Sequence, residues 1–233
     1  MIAILSDIHS NLHALEAVLE DMPKVSAIYI LGDTIGGASP FPCEVLDRLM
    51  GLSVPVSSVL GNWEWMMVTR RHDITQEIRN SGTKLAAGAW AMDALEEHHW
   101  NYLESLDMTI KANNMLLSHG RPDDVLGVVL SQEDADELVK SYSEKWLICG
   151  HTHRTRLFKV GSQRIVNAGS VGLSADCISG AACYALLDEA HISFRHVPYD
   201  VEAAVRAIEI SEIYALAKDY ADRIIEIMRT GRF

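Results

Sequence analysis

Apolar and polar positions at the start of the chain switch between two periods. The runs "MIAILS", "AIYILGD" and "VPVSSVLGN" are short, β-branched and closed by turn residues, as strands are. Between them "LHALEAVLEDM" and "PCEVLDRLMGL" carry apolar residues at helical spacing. Strands alternating with helices predict a parallel sheet covered on both faces, with functional groups gathered past the carboxyl ends of the strands.

From Trp63 to Leu106 the pattern turns helical, with Leu95, His99, Tyr102, Leu103 and Leu106 in register, which predicts a helical insertion at about 63–106. Beyond it, "TIKANNMLLSHG" and a helical "SQEDADELVKSY" lead into "KWLICGHTH", "TRLFKVGS", "QRIVNAGS", "CYALLDE" and "HISFRHVPY", close enough together to read as antiparallel strands. A C-terminal helical segment at about 200–230 opens on Asp200, a suitable N-cap. No repeat, low-complexity tract or linker divides residues 1–233, so one domain is expected.

Composition narrows the function classes. A chain of 233 residues with 48% hydrophobic and 22% charged content can bury a sizeable core. Its formal charge of −12 argues against duplex nucleic acid, whose binders cluster Lys and Arg against phosphates. An anionic substrate would need a local cation source, such as a metal. The four cysteines form no CxxC pair and suggest neither a zinc knuckle nor a disulfide framework. The opening apolar run is too short for a signal segment and nothing later reaches a membrane span, so no membrane and a cytoplasmic location are the expectations.

Against this background, metal-capable side chains follow five apolar runs: Asp7 and His9 in "SDIHSN", Asp33 in "LGDTIGG", Asn62 in "LGNWE", His119 in "LLSHG", and His151 with His153 in "CGHTH". A lone histidine after a strand is usually structural. The repetition at strand ends changes that reading. Two carboxylates, one amide oxygen and four imidazoles exceed one tetrahedral site and suit two adjacent divalent ions, with Asp33 as the natural bridge. Without a thiolate in the set, Mn²⁺, Fe or Zn²⁺ fits better than a soft metal.

The ordered series "DIH", "GD", "GNWE", "SHG" and "GHTH" resembles the calcineurin-like metallophosphoesterase superfamily, whose pattern is D-x-H, G-D, G-N-H-[DE], H and G-H-x-H. The likeness runs from Asp7 to Gly172 when "NAGSVG" is included, and "SHGRPDD" with "YALLD" and "FRHVPYD" is similar to the small bacterial and archaeal phosphodiesterases. The resemblance implies a four-layer αββα sandwich of two mixed sheets flanked by helices, an α/β (α+β) fold. It implies a first ion at Asp7, His9, Asp33 and His153, a second at Asp33, Asn62, His119 and His151, and attack on phosphorus by a metal-bridging hydroxide. It also gives Gly169 and Ser170 a supporting role below the metals.

Trp63 departs from that pattern. Members with His at this place are implied to protonate the leaving oxygen, and an indole has no proton to give. General-acid help worth ~10²–10⁴ in rate is absent there. The expectation therefore moves to phosphodiesters with good leaving groups. Dinucleoside polyphosphate hydrolase or nucleotidase activity is the alternative among enzymes, and a metal- or nucleotide-binding module with little turnover is the alternative of another class. The partner expected is a small phosphorylated substrate, nucleotides included, on whose base Trp63 would stack. Arg121 is a further candidate for phosphate oxygens. Asn11 reads equally as a helix cap, "TRRHD" as a solvated helix, and His98 and His99 as neighbours pointing to different sides of a helix. The "DYADRIIEIMR" helix suits an interface or a lid, and the sequence leaves the oligomeric state open.

Overall fold

The computed structural model describes residues 1–189 and 191–233. The three early apolar runs form β1 (Ile2–Leu5), β2 (Ile28–Ile30) and β3 (Val56–Ser58), all parallel, with Ala3 opposite Ile28 and Ile28 opposite Val56. Two later antiparallel strands, β9 (Ala181–Asp188) and β10 (His191–Pro198), complete this sheet in the order β10-β9-β1-β2-β3. A second sheet has the order β4-β5-β6-β8-β7, from β4 (Thr109–Ala112), β5 (Met115–Ser118), β6 (Trp146–Cys149), β7 (Thr155–Val160) and β8 (Gln163–Ala168).

The two-residue period of a strand sorts the core into layers. On β1, Ala3 and Leu5 pack with Leu15, Val18, Val45 and Leu49 of α1 (Leu12–Asp21) and α2 (Pro42–Met50). Ile4 points the other way, into a cluster with Leu117, Ile148 and Val166 of the second sheet. The outer face of that sheet buries Leu116, Leu147 and Ile165 against Ala135 and Leu138 of α7 (Gln132–Leu138). The result is the expected αββα sandwich of two mixed sheets.

The helical insertion is present but broken into α3 (Asn62–Thr69), α4 (Gln76–Arg79), α5 (Lys84–Ala94) and α6 (Glu97–Glu104). Thr75 and Thr83 cap their helices with side-chain oxygens, and Gly82 before Thr83 has φ +69°, which turns the chain between α4 and α5. Likewise the C-terminal segment is α8 (Val201–Glu209), α9 (Glu212–Leu216) and α10 (Lys218–Thr230).

One strand expectation needs correction. The β7–β8 hairpin folds back with β8 on the inside, so β8 runs parallel to β6, with Trp146 opposite Arg164, while β7 pairs antiparallel with β8. This keeps β5, β6 and β8 parallel. Among the described residues no helix is long and apolar enough to cross a membrane.

Candidate metal centre

Each of the seven predicted donors sits just past a strand end. Asp7 and His9 follow β1, Asp33 follows β2, Asn62 opens α3 after β3, His119 follows β5, and His151 and His153 follow β6. The two sheets thereby deliver all seven to one end of the sandwich. Asp7, His9, Asp33, His151 and His153 all have positive φ, between +48° and +66°. Strain of this kind persists only where surrounding structure fixes it. Here the loops interlock: Asp7 N donates to Gly32 O at 3.0 Å, His9 N to Asp33 O at 2.9 Å, and Gly172 N to Asp7 O at 2.9 Å.

The donors form two adjoining groups. His9 Nε2 lies 3.1 Å from His153 Nε2, and His153 Nε2 lies 3.2 Å from Asp7 Oδ1. In the other, His119 Nε2 lies 2.9 Å from Asn62 Oδ1 and 3.1 Å from His151 Nδ1. Between them stands Asp33, whose Oδ2 is 3.8 Å from His9 Nε2 and 3.6 Å from His119 Nε2. Asp7, His9 and His153, and Asp7, Asp33 and His119, each bring ligand atoms within 4.8 Å of one another, close enough to hold a metal ion.

The protonation pattern suits a cation. His119 Nδ1 is 2.7 Å from Leu31 O and His153 Nδ1 is 2.9 Å from Leu173 O, so these nitrogens donate and leave each Nε2 lone pair facing the cluster. Burial pushes His119 down to about 4 and His9 down to about 3, so both imidazoles are neutral at pH 7. Burial, with the nearby Glu64 and Asp7 carboxylates, raises Asp33 well above the ordinary range. Asp7 Oδ1 is buried with no hydrogen-bond partner among the described residues. A fully buried carboxylate oxygen in that condition, facing imidazole lone pairs, fits a bound cation.

Support comes from Ser170 and from residues that the sequence did not single out. Glu64 is fully buried and accepts from three backbone N–H groups, Gly61 and Asp33 at 2.9 Å and Ile35 at 3.0 Å. It ties the Asp33 loop to the start of α3, and its only signal was the acid of "GNWE". Ser6 Oγ donates to Asp7 Oδ2 at 2.5 Å, and that oxygen also accepts from His151 N at 2.9 Å. Gly150 lies so close that an added Cβ would overlap Ser6 Oγ. Ser170 Oγ donates to Asp7 O at 2.8 Å, and Asn167 Nδ2 donates to Gly150 O, so "NAGSVG" does brace the site.

Above the donors opens a cavity of about 610 Å³. Trp63 lines it but is only 8% exposed, its ring packed so closely on Gly36 and Gly88 that a Cβ on either would lie 2.5 Å and 2.9 Å from ring carbons. The indole is thus mainly a core group with one edge at the cavity. Arg121 does not line this cavity; its Nε donates to Asp123 Oδ1 at 3.3 Å and its stem covers Gly127. Asn11 caps α1 through Ala14 N at 3.1 Å. Arg71 is held by Glu104 and stacks over Trp100. His98 and His99 do not point to different sides: both Nε2 atoms reach Asp47 Oδ1 at 3.1 Å, because the Asp47 carboxylate sits between them. His99 Nδ1 accepts from Glu96 N, which leaves its Nε2 protonated and unable to bind a metal.

Residues 1–191 match the family model described as the calcineurin-like phosphoesterase superfamily domain. The chain belongs to the calcineurin-like phosphoesterase superfamily. A phosphoesterase of this family is a hydrolase by class, and its members generally use divalent metals. The chain is 30% identical to an uncharacterized protein of Methanocaldococcus jannaschii, over 89% of this chain and 91% of that one. Its structure is similar to a metallophosphoesterase from Sphaerobacter thermophilus, with a TM-score of 0.79 and 26% identity over 96% of this chain and 97% of the other. A hypothetical protein from Pyrococcus horikoshii shares the fold at a TM-score of 0.79 and 20% identity, covering 99% of both chains.

Proposed function

We propose that this phosphoesterase hydrolyses phosphodiesters with good leaving groups at two divalent ions, Mn²⁺, Fe or Zn²⁺. The supporting observation is the place of Asp33 Oδ2, within 3.8 Å of His9 Nε2 on one side and 3.6 Å of His119 Nε2 on the other. Asp7, His9, Asp33 and His153 would hold one ion, and Asp33, Asn62, His119 and His151 the second. Bound ions supply Lewis acidity toward phosphoryl oxygens and lower the pKa of water. The chain's own part is to keep His9 and His119 neutral, to fix Asp33 through the Trp63 and Glu64 contacts, and to present at Trp63 an indole that has no proton to give. A leaving aryloxide is weakly basic and departs without that proton; an alkoxide does not.

Metal analysis of the purified protein followed by a phosphoester panel tests the reading. Two equivalents of metal and faster turnover of an aryl phosphodiester than of an alkyl monoester are expected. Metal uptake with no turnover of any phosphoester would replace it with the binding-module reading, and faster alkyl monoester hydrolysis would overturn the assignment of leaving group.

A further inference from the structure

Part of the wall of the cavity over the metal donors is built by residues outside every motif of the site. Along α10, Tyr220, Arg223, Ile224 and Ile227 line it at the i, i+3, i+4, i+7 spacing of one helix face. Lys84, the first residue of α5, lines the same cavity. Lys84 and Arg223 are both exposed, and neither makes a side-chain hydrogen bond or ion pair among the described residues. Asp219 stands four residues before Arg223 on the same cavity-lining helix, at the spacing of a helical ion pair, yet no such pair forms.

Among the described residues these cations have no structural partner to explain them. The protein carries 32 acidic against 20 basic residues, so unpaired Lys and Arg side chains at the mouth of its metal cavity run against its general charge. Their setting is apolar and aromatic, with Trp63 and Tyr220 on the wall. A ring fits against such a wall, and an anion fits the cations. The reacting phosphate is already accounted for at the metal donors.

We infer that Lys84 and Arg223 select substrates that carry a second phosphate group beyond the scissile one. This rests on the phosphodiesterase reading of the same cavity and names the class of diester it prefers. Arg223 offers paired N–H donors to two phosphate oxygens and Lys84 a mobile point charge. Their effect falls on binding of the second phosphate and not on bond cleavage, so it appears in KM.

The test uses two p-nitrophenyl diesters with the same leaving group, thymidine 5′-(p-nitrophenyl phosphate) with and without a 3′-phosphate, on Mn²⁺-loaded full-length protein. Wild type should favour the 3′-phosphorylated diester by at least ~10-fold in kcat/KM, about 1.4 kcal/mol. Lys84→Gln with Arg223→Gln should abolish that preference through KM while leaving the plain diester within about two-fold. Lys159→Gln, an exposed cation on the edge strand β7, should leave the preference intact. Equal effects on both diesters, no effect on either, or the same change in Lys159→Gln would overturn the inference. If metal-loaded wild type cleaves neither diester, the phosphodiesterase reading falls, and calorimetric titration decides the selection separately. Thymidine 3′,5′-bisphosphate must then bind wild type at least ~10-fold more tightly than thymidine 5′-phosphate, with the difference lost in the double variant; equal binding overturns it.

Discussion

The backbone N–H of Trp63 donates to Asp33 Oδ1 at 2.9 Å. Residue 63 thus fixes the carboxylate between the two donor groups through an atom that any residue except proline carries, independently of its side chain. This explains how an indole can replace an imidazole without dismantling the site.

Trp63→His should therefore keep the metal centre and restore a proton donor. The ratio of kcat/KM for an alkyl phosphomonoester to that for an aryl diester should rise by at least ~10-fold. Losing the ring that packs on Gly36 and Gly88 should cost roughly 2–4 kcal/mol of stability, read as a lower midpoint in urea unfolding. An unchanged substrate ratio in a folded, metal-loaded variant would show that residue 63 does not set leaving-group preference.

Asp33→Asn removes the charge shared by the two groups while keeping the side chain's shape. We expect fewer bound metal equivalents by elemental analysis and a fall in kcat of at least ~10²-fold. Full metal content with normal turnover would remove Asp33 from the bridging place.

Glu64→Gln presents an NH₂ to at least one of the three backbone N–H groups that the carboxylate accepts from. A lost charge-assisted bond and an unsatisfied buried donor should together cost about 3 kcal/mol, visible in denaturant midpoint. Activity should fall as well, since the Asp33 loop is held there. Stability within ~0.5 kcal/mol of wild type would contradict that role.

The donor set and the strands that carry it were legible in the sequence because each lies within a few residues of an apolar run. Asp7 after β1 and His119 after β5 need only local pattern to be placed. The cavity wall was hidden for the opposite reason. Lys84 and Arg223 line one cavity from separate helical segments, and a helical period says which face is buried but not what it is buried against. Arg121 does not line the cavity, because nearness in sequence to His119 does not fix where a side chain turns, and its Nε donates to Asp123. His98 and His99 misled because a shared partner, Asp47, can draw adjacent residues together.

The buried histidines predict a pH response in metal-free protein. Burial lowers His119 from 6.5 to about 4. The unfolded chain therefore takes up a proton that the folded one refuses between those values, and stability rises with pH there. The contribution is fully present above about pH 6.5 and is lost as pH falls toward 4, on the order of 3 kcal/mol in all. His119→Asn should lose less stability than wild type over that interval in parallel urea titrations. Imidazole ¹⁵N shifts of His119 should stay at neutral values down to pH 5; protonation near pH 6.5 would refute the effect of burial.

The stripe of α10 along the cavity divides labour within the chain. The proposed ion-holding residues end at His153, whereas Tyr220, Arg223, Ile224 and Ile227 arrive from a helix beyond the family match at 1–191. On the proposed reading, reaction chemistry and substrate choice lie in separate stretches of one polypeptide. Exchange of α10 side chains offers a route to retarget the enzyme while its reactive core stays as it is.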